Sequence, residues 1–225
     1  MTIAELDIPG FTIDEVLHTS SAWQLARATR QSDGQPVLLK RPRLASPLRL
    51  AELHHELALA TRLADPEILR PLAVERGPAG FALIYEPFAG RPLATGDLSE
   101  EPAAPRPSAA VQALAIRLCQ VIGRLHRAGV VHKNLHPGAV LLAPDGALRL
   151  TDLSLASALA REEASVDPPA RVRGELAYLA PEQTGRMNRA IDARSDLYAL
   201  GVLLYEQLTG APPFRQHDPL ELIHA

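Results

Sequence analysis

The sequence is poor in cysteine, in aromatic residues and in net charge, and each shortage removes a class of protein. A single cysteine, Cys119, excludes an internal disulfide and any cysteine-rich zinc site. Its apolar helical neighbours lead us to expect a buried structural thiol, which fits a reducing cytosol. Lysine and arginine number 23 against 26 acids, giving a formal charge of -3, and the signs are interspersed. Neither nucleic acid nor an anionic membrane surface is therefore an expected partner. No apolar run reaches the roughly 18 to 20 residues that span a bilayer. The opening MTIAELDIPGF lacks a basic leader followed by an apolar core. A cytoplasmic location with no membrane segment is expected. Internal repeats are also missing. What remains is a chain of 225 residues, 47% hydrophobic, enough for one large domain or two small lobes with a shared core.

Periodicity divides the chain. "FTIDEVL", "WQLARATR" and "PVLLK" read as short strands, the last two joined through Ser32-Asp33-Gly34. "PLRLAELHHELALATRL" places Leu50, Leu53, Leu57, Ala60 and Leu63 on one helical stripe. Two more strands follow, "ILRPLAVERG" and "GFALIYE", around a Gly-Pro-Ala-Gly turn. The stretch "AGRPLATGDLSEEPAAPRPSAA" breaks periodicity and reads as a surface linker or a lobe boundary. Helix resumes at "VQALAIRLCQVIGRLHRAG", with Val111, Leu114, Ala115, Leu118, Val121, Ile122 and Leu125 on one face and Gly129 as a C-cap. After "VHKNLHPGAVLL" come a hairpin turning at Asp145-Gly146, a loop to about Glu182, and the helix "RSDLYALGVLLYEQLTG". That helix is apolar nearly all round, so a buried central helix is expected.

Four segments in this order, "VHKNLHPGAVLL", "LRLTDLS", "LAYLAPEQ" and "DARSDLYALGVLLYEQLTGAPPF", resemble the catalytic loop, the metal-binding segment, the APE segment and the following buried helix of the protein-kinase superfamily. The wording "PEQTGRMNRAIDARSDLYALGVLLYEQLTGAPPF" followed by "DPLELIHA" is similar to the N-terminal kinase-like domain of large bacterial sensors that also carry ATPase, GAF and histidine kinase modules. The resemblance implies an α+β, bilobal kinase-like fold: a small antiparallel β-rich lobe with one helix over residues 1–88 and a mainly helical lobe over 89–225. The chain stops at Ala225, soon after "DPLELIHA" begins, so the helical lobe is expected to be incomplete at its C-terminal end, without the arginine that pairs with Glu182 in the family.

The same resemblance assigns roles. Lys40 matches the lysine that pairs with nucleotide phosphates and Glu56 its ion-pair partner. Leu38, Glu86 and Phe88 fall at nucleotide-contacting positions, and Asp152 matches the aspartate that holds Mg2+, a hard cation suited to carboxylate oxygen. His132 and Asp196 are expected to be architectural, His132 by packing and backbone bonding, Asp196 by capping the last helix and pinning the catalytic-loop backbone. Several positions depart from the family. His18, Ser20 and Trp23 stand where three lid glycines are expected, so no loop of close-approaching N–H groups is foreseen. Leu38 replaces a small residue, Leu153 and Ser154 replace Phe and Gly, and Ser154 gives up glycine's φ freedom. Asn134 occupies the catalytic aspartate position, His136 that of a phosphate-neutralising lysine, and Ala139 that of a metal-binding asparagine. An amide has no useful basicity. Paired histidines, His54-His55 and His132 with His136, lack the cysteine or carboxylate that would complete a zinc site.

Function is therefore expected to be that of a bacterial signalling domain that binds ATP and Mg2+ yet transfers phosphate poorly or not at all, a pseudokinase. Its expected partners are other signalling modules, among them a histidine kinase in the same polypeptide. Two alternatives stay open: an active Ser/Thr kinase acting on protein hydroxyls, and a nucleotide-free interaction scaffold.

Overall fold

Alternating apolar residues build the first sheet. The computed structural model describes residues 8–78, 80–93, 104–158, 175–184 and 189–214. Two units are distinguished, Met1–Pro92 with Val140–Ser154, and Leu93–Ala139 with Leu155–Ala225. In the first, β1 (Phe11–Thr19), β2 (Trp23–Arg30), β3 (Pro36–Pro42), β4 (Pro71–Gly77) and β5 (Gly80–Tyr85) form an antiparallel sheet in the order β1-β2-β3-β5-β4. The β2–β3 turn closes as its sequence predicts: Gly34 has φ +69° and the Asp33 carboxylate accepts from the Gln35 N–H at 3.0 Å.

Both faces of this sheet are covered. Ile8, Phe11, Ala28, Val37, Leu39, Ala82 and Ile84 pack on one side. On the other, Trp23, Leu25, Leu38, Leu83 and Tyr85 meet Leu53, Leu69 and Leu141. Since side chains two apart share a face, Lys40 lies on the same side as Leu38. The helix α1 (Pro47–Leu63) contributes Leu53 to that side. It starts where Ser46 Oγ accepts from the Arg49 N–H at 3.2 Å, with a proline in its first turn.

The α1 stripe differs from the one expected. Leu53 and Ala60 are buried, but Leu50, Leu57 and Leu63 are only half-buried, and Glu52, Glu56 and Leu59 take the inner positions. Each acid finds a partner there: Glu52 meets Arg49 at 2.8 Å and Glu56 meets Lys40 at 2.6 Å. The first unit also holds β6 (Arg91–Pro92), β7 (Val140–Leu142) and β8 (Leu148–Leu150), a three-stranded sheet in the order β6-β7-β8. β6 lies within the stretch expected to be a linker or lobe boundary, half of the rest of which, 94–103, lies outside the described residues. The β7–β8 turn falls at Asp145-Gly146, with Gly146 at φ +84°.

The second unit is helical. In α2 (Ser108–Arg127) the expected face is buried, apart from Ala115, which is half-buried. Gly129, at φ +74°, follows the C-cap Ala128, and the Val130 N–H reaches back to the Leu125 carbonyl at 2.9 Å. Cys119 corrects an expectation, because it is exposed. It follows Leu118, which is fully buried, and one residue turns the helix by about 100°.

The helix α3 (Ala193–Thr209) corrects another. Asp192 is its N-cap, accepting from the Arg194 N–H at 3.0 Å, and Gly210 ends it at φ +83°. Its inner face mixes Ala199, Leu200, Val202 and Leu203 with Ser195, Asp196, Glu206 and Gln207, while Leu197, Tyr205 and Leu208 are exposed. The buried polar groups have partners: Arg106 Nε donates to Gln207 Oε1 at 2.7 Å, and the Tyr178 hydroxyl donates to Glu206 Oε2 at 2.6 Å. Burial and that neighbouring carboxylate push the Tyr178 phenol well above its ordinary range. Among the described residues no helix is long and apolar enough to cross a membrane. "DPLELIHA" and residues 159–174 of the loop from Asp152 to Glu182 lie outside the described residues.

Leu53→Ala is expected to cost about 2–5 kcal/mol in urea denaturation, through lost burial and the cavity left behind. Leu197→Ala, on the exposed side of α3, is expected to stay within about 0.5 kcal/mol.

Candidate functional site

The first unit carries a buried three-charge cluster. Lys40 Nζ donates to Glu56 Oε2 at 2.6 Å and to Asp152 Oδ1. Lys40 is 3% exposed and Glu56 1%. Burial alone would lower the Lys40 pKa, but the Asp152 and Glu56 carboxylates outweigh it and the net shift is upward. The ammonium is thus held charged. Glu56 Oε1 accepts from the Tyr85 hydroxyl at 2.8 Å and from the Leu153 N–H at 3.0 Å. Asp152 sits at φ +64°, a left-handed backbone unusual outside glycine. Ser154 Oγ donates to Asp152 Oδ1 at 2.8 Å. Ser154 itself has no positive φ, so the loss of glycine there costs nothing in this conformation.

The turn before β2 uses its own N–H groups. Ser20 Oγ accepts from the Ala22 N–H at 3.3 Å and the Trp23 N–H at 3.1 Å, and the Ser20 N–H donates to the Trp23 carbonyl at 2.9 Å. Trp23 is 6% exposed and packs with Leu25, Leu38 and Leu141. Phe88 packs half-buried against the same cluster, with the Arg149 guanidinium 5.2 Å from its ring centre. Leu38 and Phe88 are therefore brought together. Glu86 is half-buried and joined by its N–H to the Arg70 carbonyl at 3.0 Å.

The second unit carries the residues that the resemblance places in a catalytic loop. Asp196, fully buried, accepts from the His132 N–H and the Lys133 N–H, each at 2.8 Å, and His126 Nε2 lies 2.8 Å from the same carboxylate. Asp196 pins this backbone, but the cap of α3 is Asp192, because a residue in the first turn is already helical and points its side chain away from the free N–H groups. Lys133 holds φ +63°, a conformation that persists because Asp196 fixes its N–H and Gln183 Nε2 donates to its carbonyl at 2.7 Å. His132 is fully buried, and its Nδ1 accepts from the Asn134 N–H at 3.3 Å. Asn134 Oδ1 accepts from the Glu175 N–H at 3.1 Å. His136 is buried with its ring centre 6.3 Å from that of Tyr178, and Ala139 is fully buried. Glu182 accepts from Ser195 Oγ at 2.6 Å.

Against a nucleoside triphosphate with Mg2+, these residues fit in charge, although the chain's own groups already engage them. Lys40 supplies a cation and Asp152 a carboxylate. The N–H groups of Ala22 and Trp23 are taken by Ser20, and Ala139 offers no ligand. No group of three or more His, Cys, Asp or Glu residues able to hold a metal occurs among the described residues. Sequence reasoning missed Tyr85 and Thr151, whose hydroxyls lie 3.3 Å apart beside Glu56. The available signal was a lone hydroxyl ending the apolar strand "GFALIY", paired with Leu38. Burial pushes the Tyr85 phenol well up, with Glu56 adding to it.

Asp196→Ala removes the acceptor of the buried His132 N–H and the half-buried Lys133 N–H and is expected to cost about 3–5 kcal/mol by chemical denaturation. Asp196→Asn is expected to recover part of that loss.

A model of the protein kinase domain family matches residues 23–224. The serine/threonine-protein kinase PknB of Mycolicibacterium smegmatis is 36% identical over 126 residues, 56% of this chain and 19% of that protein. The probable serine/threonine-protein kinase CE0033 of Corynebacterium efficiens is 31% identical over 142 residues, 63% of this chain and 21% of that protein. For the probable serine/threonine-protein kinase SCO3848 of Streptomyces coelicolor the identity is 37% over 111 residues, 49% of this chain and 16% of that protein. The matched segments span about a fifth of these relatives' lengths. The comparisons support a relationship to serine/threonine kinases and not the narrower likeness to sensor histidine-kinase proteins. With a family match over most of its length and an α+β pattern of one β-rich and one helical unit, the chain belongs to the protein kinase domain family.

Proposed function

We propose that the chain is a signalling domain of the protein kinase family whose phosphoryl transfer is impaired. The observation that carries this reading is the use of Asn134. Its side-chain oxygen accepts the Glu175 N–H, so the residue at the catalytic-base position serves the loop backbone. An amide takes no proton, and losing a general base removes roughly 10²- to 10⁴-fold in rate. Fully buried Ala139 adds no metal ligand. ATP and Mg2+ are the proposed cofactors, with Lys40, Glu56 and Asp152 as the residues that would hold them. The domain then acts through other signalling modules in a bacterial cytoplasm, and the wording of residues 181–214 favours a histidine kinase in the same polypeptide as one of them.

One observation favours a second reading, the nucleotide-free scaffold: the turn N–H groups and the Lys40 ammonium are already engaged within the chain. Thermal-shift titration separates the two. Millimolar ATP is expected to raise the melting temperature, since any ligand of the folded state stabilises it; no rise with or without Mg2+ would leave the scaffold. Phosphoryl transfer is expected to be near background in the native chain and to increase by about 10²-fold or more in Asn134→Asp with Ala139→Asn. Robust transfer by the native chain, unchanged in the double variant, would instead show an active Ser/Thr kinase.

A further inference from the structure

Lys40 has an ammonium with three N–H bonds, and two of them point at carboxylates, those of Glu56 and Asp152. A further side of the ammonium faces an indole: Nζ lies 4.6 Å from the centre of the Trp23 ring. The ring also receives the Arg49 guanidinium at 5.2 Å. Trp23 thus contacts a cation of β3 and a cation of α1 and belongs to the apolar cluster of Leu25, Leu38 and Leu141. Cation–π contacts strengthen as they are desolvated, and this one is nearly dry, with Lys40 3% and Trp23 6% exposed. An anion approaching Lys40 meets two carboxylates and an aromatic face in place of open N–H groups.

We propose that Trp23 is a gate on the Lys40 site. While the indole is seated, the site is closed to polyphosphate; an anionic nucleotide engages Lys40 only when the indole swings out. The inference rests on the reading that this site takes a nucleotide. The gate has a latch one turn away, since Ser20 binds the N–H groups of both Ala22 and Trp23 and so fixes the start of β2. Apparent affinity is lowered in proportion to the closed fraction, so removing the indole is expected to tighten ATP binding roughly 3- to 30-fold, the range that one cation–π contact supports.

Trp23 is the only tryptophan in the chain, so its fluorescence reports the gate directly. The native chain is titrated with ATP, with and without Mg2+, while tryptophan emission is followed, and ATP affinity is measured calorimetrically for the native chain, Trp23→Gly and Ser20→Ala. Emission is expected to shift to the red saturably, as the indole leaves its apolar seat, at the affinity that calorimetry reads. Trp23→Gly is expected to bind tighter, and Ser20→Ala to tighten binding while keeping the fluorescence change. ATP binding with no change in emission overturns the gate, as does a folded Trp23→Gly variant that binds no tighter; the nucleotide reading survives both. If neither the native chain nor folded Trp23→Gly binds millimolar ATP, the nucleotide reading falls and the gate with it. Should Trp23→Gly fail to fold, the emission titration of the native chain decides alone.

Discussion

The first unit depends on one constraint: a buried ammonium has to be neutralised. A lysine that is 3% exposed is tolerable only with carboxylates against it, and Glu56 and Asp152 come to it from separate parts of the chain. To supply Glu56, α1 must present an acid on its inner face, which is why its buried stripe departs from the one that leucines alone would draw. To supply Asp152, the backbone after β8 turns left-handed, and Ser154 then bonds that carboxylate. Tyr85 and the Leu153 N–H occupy the other oxygen of Glu56. Six residues from β3, α1, β5 and the end of the β7–β8 hairpin thus share one network.

A net-negative cluster of this kind would welcome another cation or a redistribution of its protons, but here the lysine stays charged and the indole lies against it. Charge, dryness and an aromatic face together give the site a resting state made wholly of the chain's own groups. In the second unit the same economy holds: the Asn134 amide serves the local backbone, and on the proposed reading it, Ala139 and His136 take the places of a base, a metal ligand and a cation.

Legibility in the sequence varied with how local each feature is. The limits of α1 and β2 were readable because Ser46, Pro47 and strict periodicity act within a turn or two of themselves. The pairing of Glu56 with Lys40 was implied by resemblance, but its burial contradicts the leucine stripe, since only the sheet brings Lys40 to it. Cys119 was misread because an apolar neighbourhood along the chain says little about which side of a helix a residue takes. In α3 composition misled in the opposite direction: Ser195, Asp196, Glu206 and Gln207 face inward because distant groups satisfy them, while Leu197, Tyr205 and Leu208 remain outside. Trp23 was visible only as a missing glycine; its seat against Lys40 follows from a strand pairing and a helix packing that no short segment encodes.

The backbone at Lys133 has a kinetic side. Its left-handed conformation is held by Asp196, 63 residues further along the chain. The contact that holds it is a long-range one, and closing so long a loop is entropically slow compared with forming a helix or a hairpin. The loop that looks most like an enzyme's working part thus takes its shape from a helix that follows it far along the chain, and whatever loosens α3 loosens this backbone too.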